Sequence, residues 1–157
     1  MLREFDDVFS EDSMPRKSMI GPPLHININY DQPVVPIAER HVRQVPINLK
    51  REAEIMIKDM LEAGIIRRVH EPTAWISPAM IIPKPNGAGV RLVVDYTNLN
   101  KAVRRPIHPF PSAADVTRLL HEDSRFFSTA DFLHGYWQLK IAEESQLLTT
   151  FLTSAGK

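Results

Sequence analysis

Two apolar runs closing around a Pro-Asn-Gly turn constrain this chain more than any other feature. Residues 77–94 read SPAMIIPKPNGAGVRLVV, in which residues 79–82 and 90–94 are the runs, and Pro85, Asn86, Gly87 and Gly89 lie between them. Long and β-branched apolar side chains suit a strand, and glycines supply the backbone conformations that reverse it, so the segment predicts a β-hairpin with a mobile tip. Lys84 and Arg91 sit on either side of its base. A solvated hairpin accounts for these two cations as well as a binding role does.

A second stretch, residues 125–141 (RFFSTADFLHGYWQLKI), puts one acidic residue, Asp131, at the end of an apolar run, with Tyr136 shortly after it. Residues 126–130 read as a buried strand, because aromatic and β-branched side chains favour one. A lone carboxylate buried at its end is costly unless something pairs with it, so a basic side chain or a metal ion is expected beside Asp131. An aspartate that caps the following turn is the other reading. For Tyr136 and Trp137 the competing reading is ordinary core packing.

The remainder is organised by its punctuation. Residues 1–46 lack a regular apolar period, contain prolines at positions 15, 22, 23, 33, 36 and 46, and hold six acids before Gln32 against three basic residues. They read as an extended tether with one or two strands, around residues 24–28 and 41–45. Asn48 is placed to cap a helix over residues 49–63, whose Leu49, Ala53, Met56, Ile57, Met60 and Leu61 share one face, and Gly64 ends it. After the hairpin comes a proline-rich link to Pro111. Ser112 with Asp115 three residues on then resembles a capping box opening a helix to about His121. A strand over residues 136–141, the polar turn AEESQ and a last strand over residues 148–153 complete the reading. The 157 residues have zero formal net charge and no cysteine, which excludes disulfides, thiolate zinc sites and thiol nucleophiles. Between Lys84 and Arg105, however, five basic residues face one acid, Asp95. That local excess fits either a surface that tracks phosphates or a solvated face. No apolar run approaches the ~20 residues a membrane span needs and the N-terminus has no signal-peptide pattern, so the chain is expected to be intracellular, without a membrane partner.

Taken together, the hairpin, VDYTNLNK, the link RRPIHPFPS, a short helix, FSTAD and GYWQLKI resemble reverse transcriptases, specifically those of gypsy-type long-terminal-repeat retrotransposons. LEAGIIRRVHEPTAWISPAMIIPK is similar to the entry to the fingers subdomain of that family, and EFDDVFSED with LHININ is similar to the tether leading into it. The resemblance implies an α+β fold of antiparallel strands and packed helices, divided into a connector at 1–46, fingers at 47–111 and an incomplete palm at 112–157.

Residue by residue, the resemblance implies that Asp131 is the first of three catalytic carboxylates that hold Mg²⁺, with the backbone carbonyl of Phe132 helping. His134 and Gly135 match positions whose backbone N–H groups approach the incoming triphosphate, and Tyr136 matches the ring beneath the sugar that excludes a 2′-hydroxyl. Lys84 and Arg91 match fingers residues that grip the triphosphate. Val93, Val94 and Asp95 match positions along the template. The chemistry suits these residue types: Mg²⁺ takes hard oxygen ligands, phosphoryl transfer needs charge neutralised on the attacking and leaving oxygens, and a rigid ring discriminates between sugars by clash. The family's other two carboxylates belong to a YxDD hairpin further on, and no aspartate follows Asp131 here. The chain is therefore expected to be a fragment of an RNA-directed DNA polymerase, a nucleotidyltransferase, that does not polymerise alone. The intact enzyme would take an RNA or DNA template-primer and deoxynucleoside triphosphates, with the rest of the polymerase chain as a further partner, in the cytoplasm or a virus-like particle. The alternative is a decayed or domesticated remnant that binds nucleic acid or another protein.

Overall fold

The computed structural model describes residues 18–87 and 89–154. The acidic opening EFDDVFSED therefore lies outside the described residues. A 3₁₀ turn over Ile47–Leu49 leads directly into helix α1, Lys50–Glu62. Pro46, with φ of −51°, starts this turn, and the Leu49 N–H donates to the Pro46 carbonyl at 2.9 Å. Proline's fixed φ nucleates the helical path early, so Asn48 already lies inside the turn and makes no cap; the cap expected of it is corrected. The predicted stripe holds: Ala53, Met56 and Met60 are buried, Leu49, Ile57 and Leu61 are half-buried, and Ile55, off the stripe, is exposed. Gly64 stops the helix in a left-handed conformation, φ 69°. The Gly64 N–H donates to the Leu61 carbonyl at 3.1 Å and the Ile65 N–H to the Met60 carbonyl at 2.9 Å, the paired bonds of a Schellman ending.

The hairpin forms with its strands at β1, Ser77–Pro83, and β2, Val90–Val94. They pair antiparallel, Ile81 opposite Leu92 and Ile82 opposite Arg91, and the Lys84 N–H closes the tip on the Gly89 carbonyl at 2.8 Å. Gly87 and Gly89 both take positive φ, 68° and 95°, which explains glycine at these turn positions. On the other side of β1 lies a short parallel strand, β3, Phe151–Leu152, giving the sheet order β2-β1-β3. Proline has no N–H to offer a ladder, and this pairing ends at Pro78 opposite Leu152. The strand expected over residues 148–153 is thus shortened; a 3₁₀ turn, Leu147–Thr149, takes its first half.

Val90 packs with Met56 and Met60, joined by Ile81, Leu92 and Trp137, in one apolar cluster between α1 and the hairpin. Fully burying a side chain such as Met60, 2% exposed, contributes about 1.5–3 kcal/mol. A second cluster holds Trp75, Leu99 and Ala102. Leu99 and Ala102 come from helix α2, Thr97–Ala102. The Tyr96 hydroxyl donates to the Thr149 carbonyl at 3.1 Å, and burial pushes its pKa up to about 12.

Around this centre the other expectations divide. Helix α3, Ala113–Arg118, opens with the predicted capping box, in which the Asp115 N–H donates to Ser112 Oγ at 3.3 Å and the Ser112 N–H to Asp115 Oδ2 at 3.0 Å. It buries no residue and stops short of His121, as a short helix without tertiary packing does. Residues 126–130 are not a strand, and residues 136–141 are a 3₁₀ turn, Gly135–Gln138, followed by an isolated bridge at Ile141. Residues 24–28 contribute isolated bridges rather than a strand, and residues 41–45 have no regular structure. The turn AEESQ contains a short helix, α4, Glu143–Gln146. Among the described residues no helix is long and apolar enough to cross a membrane.

Candidate functional site

The hairpin presents its charges by alternation. Val90 and Leu92 face the α1 cluster, which turns Arg91 to the opposite, exposed face of β2. Lys84 is exposed just past the end of β1, where it closes the tip, and Arg91 lies opposite Ile82, so the two cations flank the tip of the hairpin and not the base expected of them. Neither side chain forms an ion pair or hydrogen bond with another described residue, so both cations are available to an anionic ligand. Val93 and Val94 are half-buried in the β1 pairing, opposite Met80 and Ala79.

Asp95 leaves the end of β2, where its N–H donates to the Pro78 carbonyl at 2.9 Å. Its Oδ1 accepts the Thr97 N–H at 2.9 Å, which satisfies a free donor at the start of α2. The Thr97 hydrogen bonds hold the Asp95 carboxyl below its ordinary pKa, and the charges of Arg43 and Lys101 add to the effect. A structural job thus occupies this carboxylate.

Asp131 and Phe132 stand in exposed, irregular chain, and Asp131 has no hydrogen bond or ion pair among the described residues. The expectation of a buried carboxylate with a basic side chain beside it is corrected. A strand needs a neighbour that accepts from its N–H groups and donates to its C=O groups, and among the described residues none does so here, so the segment stays irregular and exposed. Just beyond, His134 takes a left-handed conformation, φ 48° and ψ 49°, and its ring stacks on Trp137 with centroids 4.2 Å apart and planes 7° from parallel. The Trp137 N–H donates to the His134 carbonyl at 2.8 Å, and the Gln138 side-chain amide donates to the Leu133 carbonyl at 2.6 Å. A Cβ on Gly135 would lie 3.3 Å from the Phe132 Cβ, a close approach that favours glycine. Adjacent residues then part: Trp137 packs into the α1–hairpin cluster, while Tyr136 is 92% exposed.

Trp137 therefore seats the turn with His134, Gly135 and Tyr136 against the sheet whose other face carries Arg91. The structure does not join Asp131 to Lys84 or Arg91 by any bond among the described residues, and no group of three His, Cys, Asp or Glu side chains there is arranged to hold a metal ion. Of the two arginines in the link, Arg104 is engaged by Asp31, while Arg105 is exposed. Sequence reasoning missed the seating by Trp137 and the contacts of residues 19–29, described below. An aromatic next to Tyr136 was visible, but which of the two would be buried depended on a 3₁₀ turn that apolar periodicity does not announce.

No family model matches the chain. Among curated proteins it is 32% identical over 152 residues to the Gag-Pol polyprotein of avian reticuloendotheliosis virus, a match covering 95% of this chain and 12% of that protein. It is 31% identical over 106 residues to the retrovirus-related Pol polyprotein from transposon gypsy of Drosophila melanogaster, covering 64% of this chain and 10% of that protein. The chain thus spans only about a tenth of these relatives' length. Among solved structures, a foamy viral protease-reverse transcriptase in complex with double-stranded DNA matches with a TM-score of 0.77 and 25% identity, over 98% of this chain and 30% of that one.

Proposed function

This chain is a reverse-transcriptase-like segment of the kind carried in retroviral and retrotransposon Pol polyproteins, and we propose that it supplies the fingers and the first part of the palm of an RNA-directed DNA polymerase. The observation that carries this reading is the likeness to the foamy viral enzyme, which runs through 98% of this chain while accounting for 30% of the larger one. On this reading residues 1–46 are the connector, 47–111 the fingers and 112–157 the start of the palm.

Lys84 and Arg91, exposed and unpaired among the described residues, bring positive charge to a triphosphate. The His134 and Gly135 N–H groups approach its phosphates, and Tyr136, exposed beside the seated Trp137, lies under the sugar. Val93, Val94 and Asp95 line the template, and a template-primer duplex is the nucleic-acid partner; the foamy viral relative is itself bound to double-stranded DNA. Such a duplex is recognised by shape and backbone rather than by sequence.

Mg²⁺ would supply charge neutralisation at the reacting phosphate. Asp131 supplies a single carboxylate and Phe132 one carbonyl oxygen, which do not by themselves fit a two-ion site, and among the described residues no group of three His, Cys, Asp or Glu side chains is arranged to complete one. The metal therefore belongs to the intact enzyme, in which further carboxylates complete the site, and the 157 residues alone are inactive. The place of work is the cytoplasm or a virus-like particle.

A second reading is favoured by the exposed aromatics Phe110, Phe126 and Phe127: a remnant retained as a protein-interaction or nucleic-acid-binding module. The test is primer extension with Mg²⁺ and Mn²⁺, by the 157-residue chain and by the same chain continued into the palm of a gypsy-type polymerase. Extension by the continued chain alone, abolished by Asp131→Ala, is the expected result. Asp131-dependent extension by the short chain would refute its incompleteness, and an inactive continued chain would favour the remnant.

A further inference from the structure

Residues 19–29 run as a strap across the chain portion that follows Tyr136. The Met19 N–H donates to the Gln138 carbonyl at 2.8 Å, the Leu24 N–H to the Lys140 carbonyl at 2.7 Å, and the Ala142 N–H to the Leu24 carbonyl at 2.9 Å. Side chains extend the contact: His25 Nδ1 lies 2.7 Å from Glu144 Oε1, and the Ile26 N–H donates to Ser145 Oγ at 3.0 Å. Ser145 is buried, so that hydroxyl is shielded from water and the bond is shielded with it. Beyond this, the strap is anchored elsewhere, through the Asn29 N–H to the Ala102 carbonyl at 2.7 Å and the Arg104 N–H to the Asn27 carbonyl at 2.8 Å. Further along, Ile37 and Glu39 bond Ile76, the residue before β1.

On the other side of the Tyr136 turn the support is absent. Residues 125–132 make no backbone hydrogen bond to another part of the described chain, and Leu133 bonds only to the nearby Gln138 side chain. The turn is therefore held by Trp137 in the apolar cluster and by the strap on residues 138–145, while its upstream side has no comparable hold.

We propose that residues 19–26 are a positioning segment for the His134–Trp137 turn, fixing its seat against the hairpin from across the length of the chain. Leu24, through its two backbone bonds to residues 140 and 142, is the principal clamp, and His25 with Ile26 prevents it from sliding. The consequence for sugar selection by Tyr136 rests on the polymerase reading; the positioning itself does not.

The chain's two tryptophans make the test direct, because Trp137 lies in the strapped turn and Trp75 in the second cluster. The indole ¹H–¹⁵N resonances of the 157-residue protein are recorded for Leu24→Pro, which deletes the donor to Lys140, and for the milder His25→Ala. The expected result is a shift or broadening of the Trp137 signal with Trp75 unmoved, and amide exchange at Trp137 faster by about tenfold with β1–β2 amides unchanged. Should Leu24→Pro fail to fold, His25→Ala decides alone. Signals that move together in His25→Ala indicate a general stabilising role, and signals that both stay put indicate that the strap holds nothing; either overturns the proposal. Failure of primer extension would leave this result standing.

Discussion

Residues 47–102 and residues 104–136 both carry many large apolar side chains, and they treat them in opposite ways. In the first region Met56, Met60, Val90, Trp75 and Leu99 are buried in two clusters, and the strands pair in a defined register. In the second, Ile107, Phe110, Leu119, Phe126 and Phe127 are exposed, Phe126 by 95%, and the one helix buries nothing. Apolar content is thus not what separates them. In the first region α1 and the β1–β2 hairpin each form through local hydrogen bonds, so the apolar faces of the first cluster meet at short sequence separation. The second pairs with no strand among the described residues, and its apolar side chains stay exposed.

The largest test of that contrast is truncation of matched side chains. Met60→Ala should cost about 2–5 kcal/mol, since Met60 is 2% exposed and packed between α1 and β2. Phe126→Ala, although it removes more atoms, should change stability by about 0.5 kcal/mol or less. Denaturant unfolding followed by far-ultraviolet circular dichroism measures both. A large loss at Phe126 would mean that the second region is packed in solution, and the distinction would collapse.

Tyr136 and Trp137 mark the boundary between the two regimes, because one is exposed and its neighbour belongs to the first cluster. In the chain continued into a palm, Tyr136→Val should raise ribonucleotide incorporation and lower deoxynucleotide incorporation only modestly. A discrimination loss of ~10²-fold, about 2.7 kcal/mol, is expected. Trp137→Val should leave sugar choice alone and lower stability. If Trp137 governs sugar choice instead, the roles assigned to His134 and Gly135 fail with it.

What the sequence disclosed follows the same division. The α1 stripe, the Gly64 ending, the hairpin and the Ser112–Asp115 capping box were legible because each is decided within a few residues by period, turn chemistry or a local hydrogen bond. The strand expected over residues 126–130 had suitable residues but required a partner, and strand propensity does not say whether one is present. The strap was illegible for a related reason: its bonds use backbone groups, and His25 and Glu144 stand 119 positions apart. Of the candidate site, a difference between the adjacent Tyr136 and Trp137 could be foreseen, but not which of them is buried, because a 3₁₀ turn and not a strand decides it; nor could the exposure of Asp131.

The link between the regions offers a smaller effect. Arg105 is exposed without an ion pair among the described residues, whereas Arg104 is already engaged by Asp31. If this surface tracks phosphates, Arg105→Glu should weaken nucleic-acid binding and reduce the salt slope by about 1 or more. Arg104→Glu should do less, since an intramolecular carboxylate already competes for that guanidinium. Fluorescence anisotropy with a short duplex across a salt series measures both slopes. Equal slopes for wild type and Arg105→Glu would return the residue to a solvated face.

The smallest expected effect lies inside the exposed region and asks whether its helix is independent of the packed one. Ser112 donates to the Asp115 carboxylate through both hydroxyl and backbone N–H, and these bonds hold the Asp115 carboxyl below its ordinary value of 3.8. A folded-state pKa below the unfolded one means that the carboxylate's contribution is complete above 3.8 and is lost as pH falls through the lower, folded value. The pairing of Asp115 with Arg118 weakens over the same interval, because protonation removes its negative partner. Acid should therefore fray α3 while α1, seated on Met56 and Met60 with no titrating group in its core, keeps its structure until carboxylates elsewhere protonate. Carbon chemical shifts of Ala113, Ala114 and Val116 against those of Ala53 separate the two helices directly. In Ser112→Ala the box has lost its hydroxyl, so α3 should be less helical at neutral pH and respond less to acid. Simultaneous melting of α1 and α3 in the wild-type chain would show that the two regions are one cooperative unit, since an exposed helix held only by its own cap has no other reason to share the fate of a packed one.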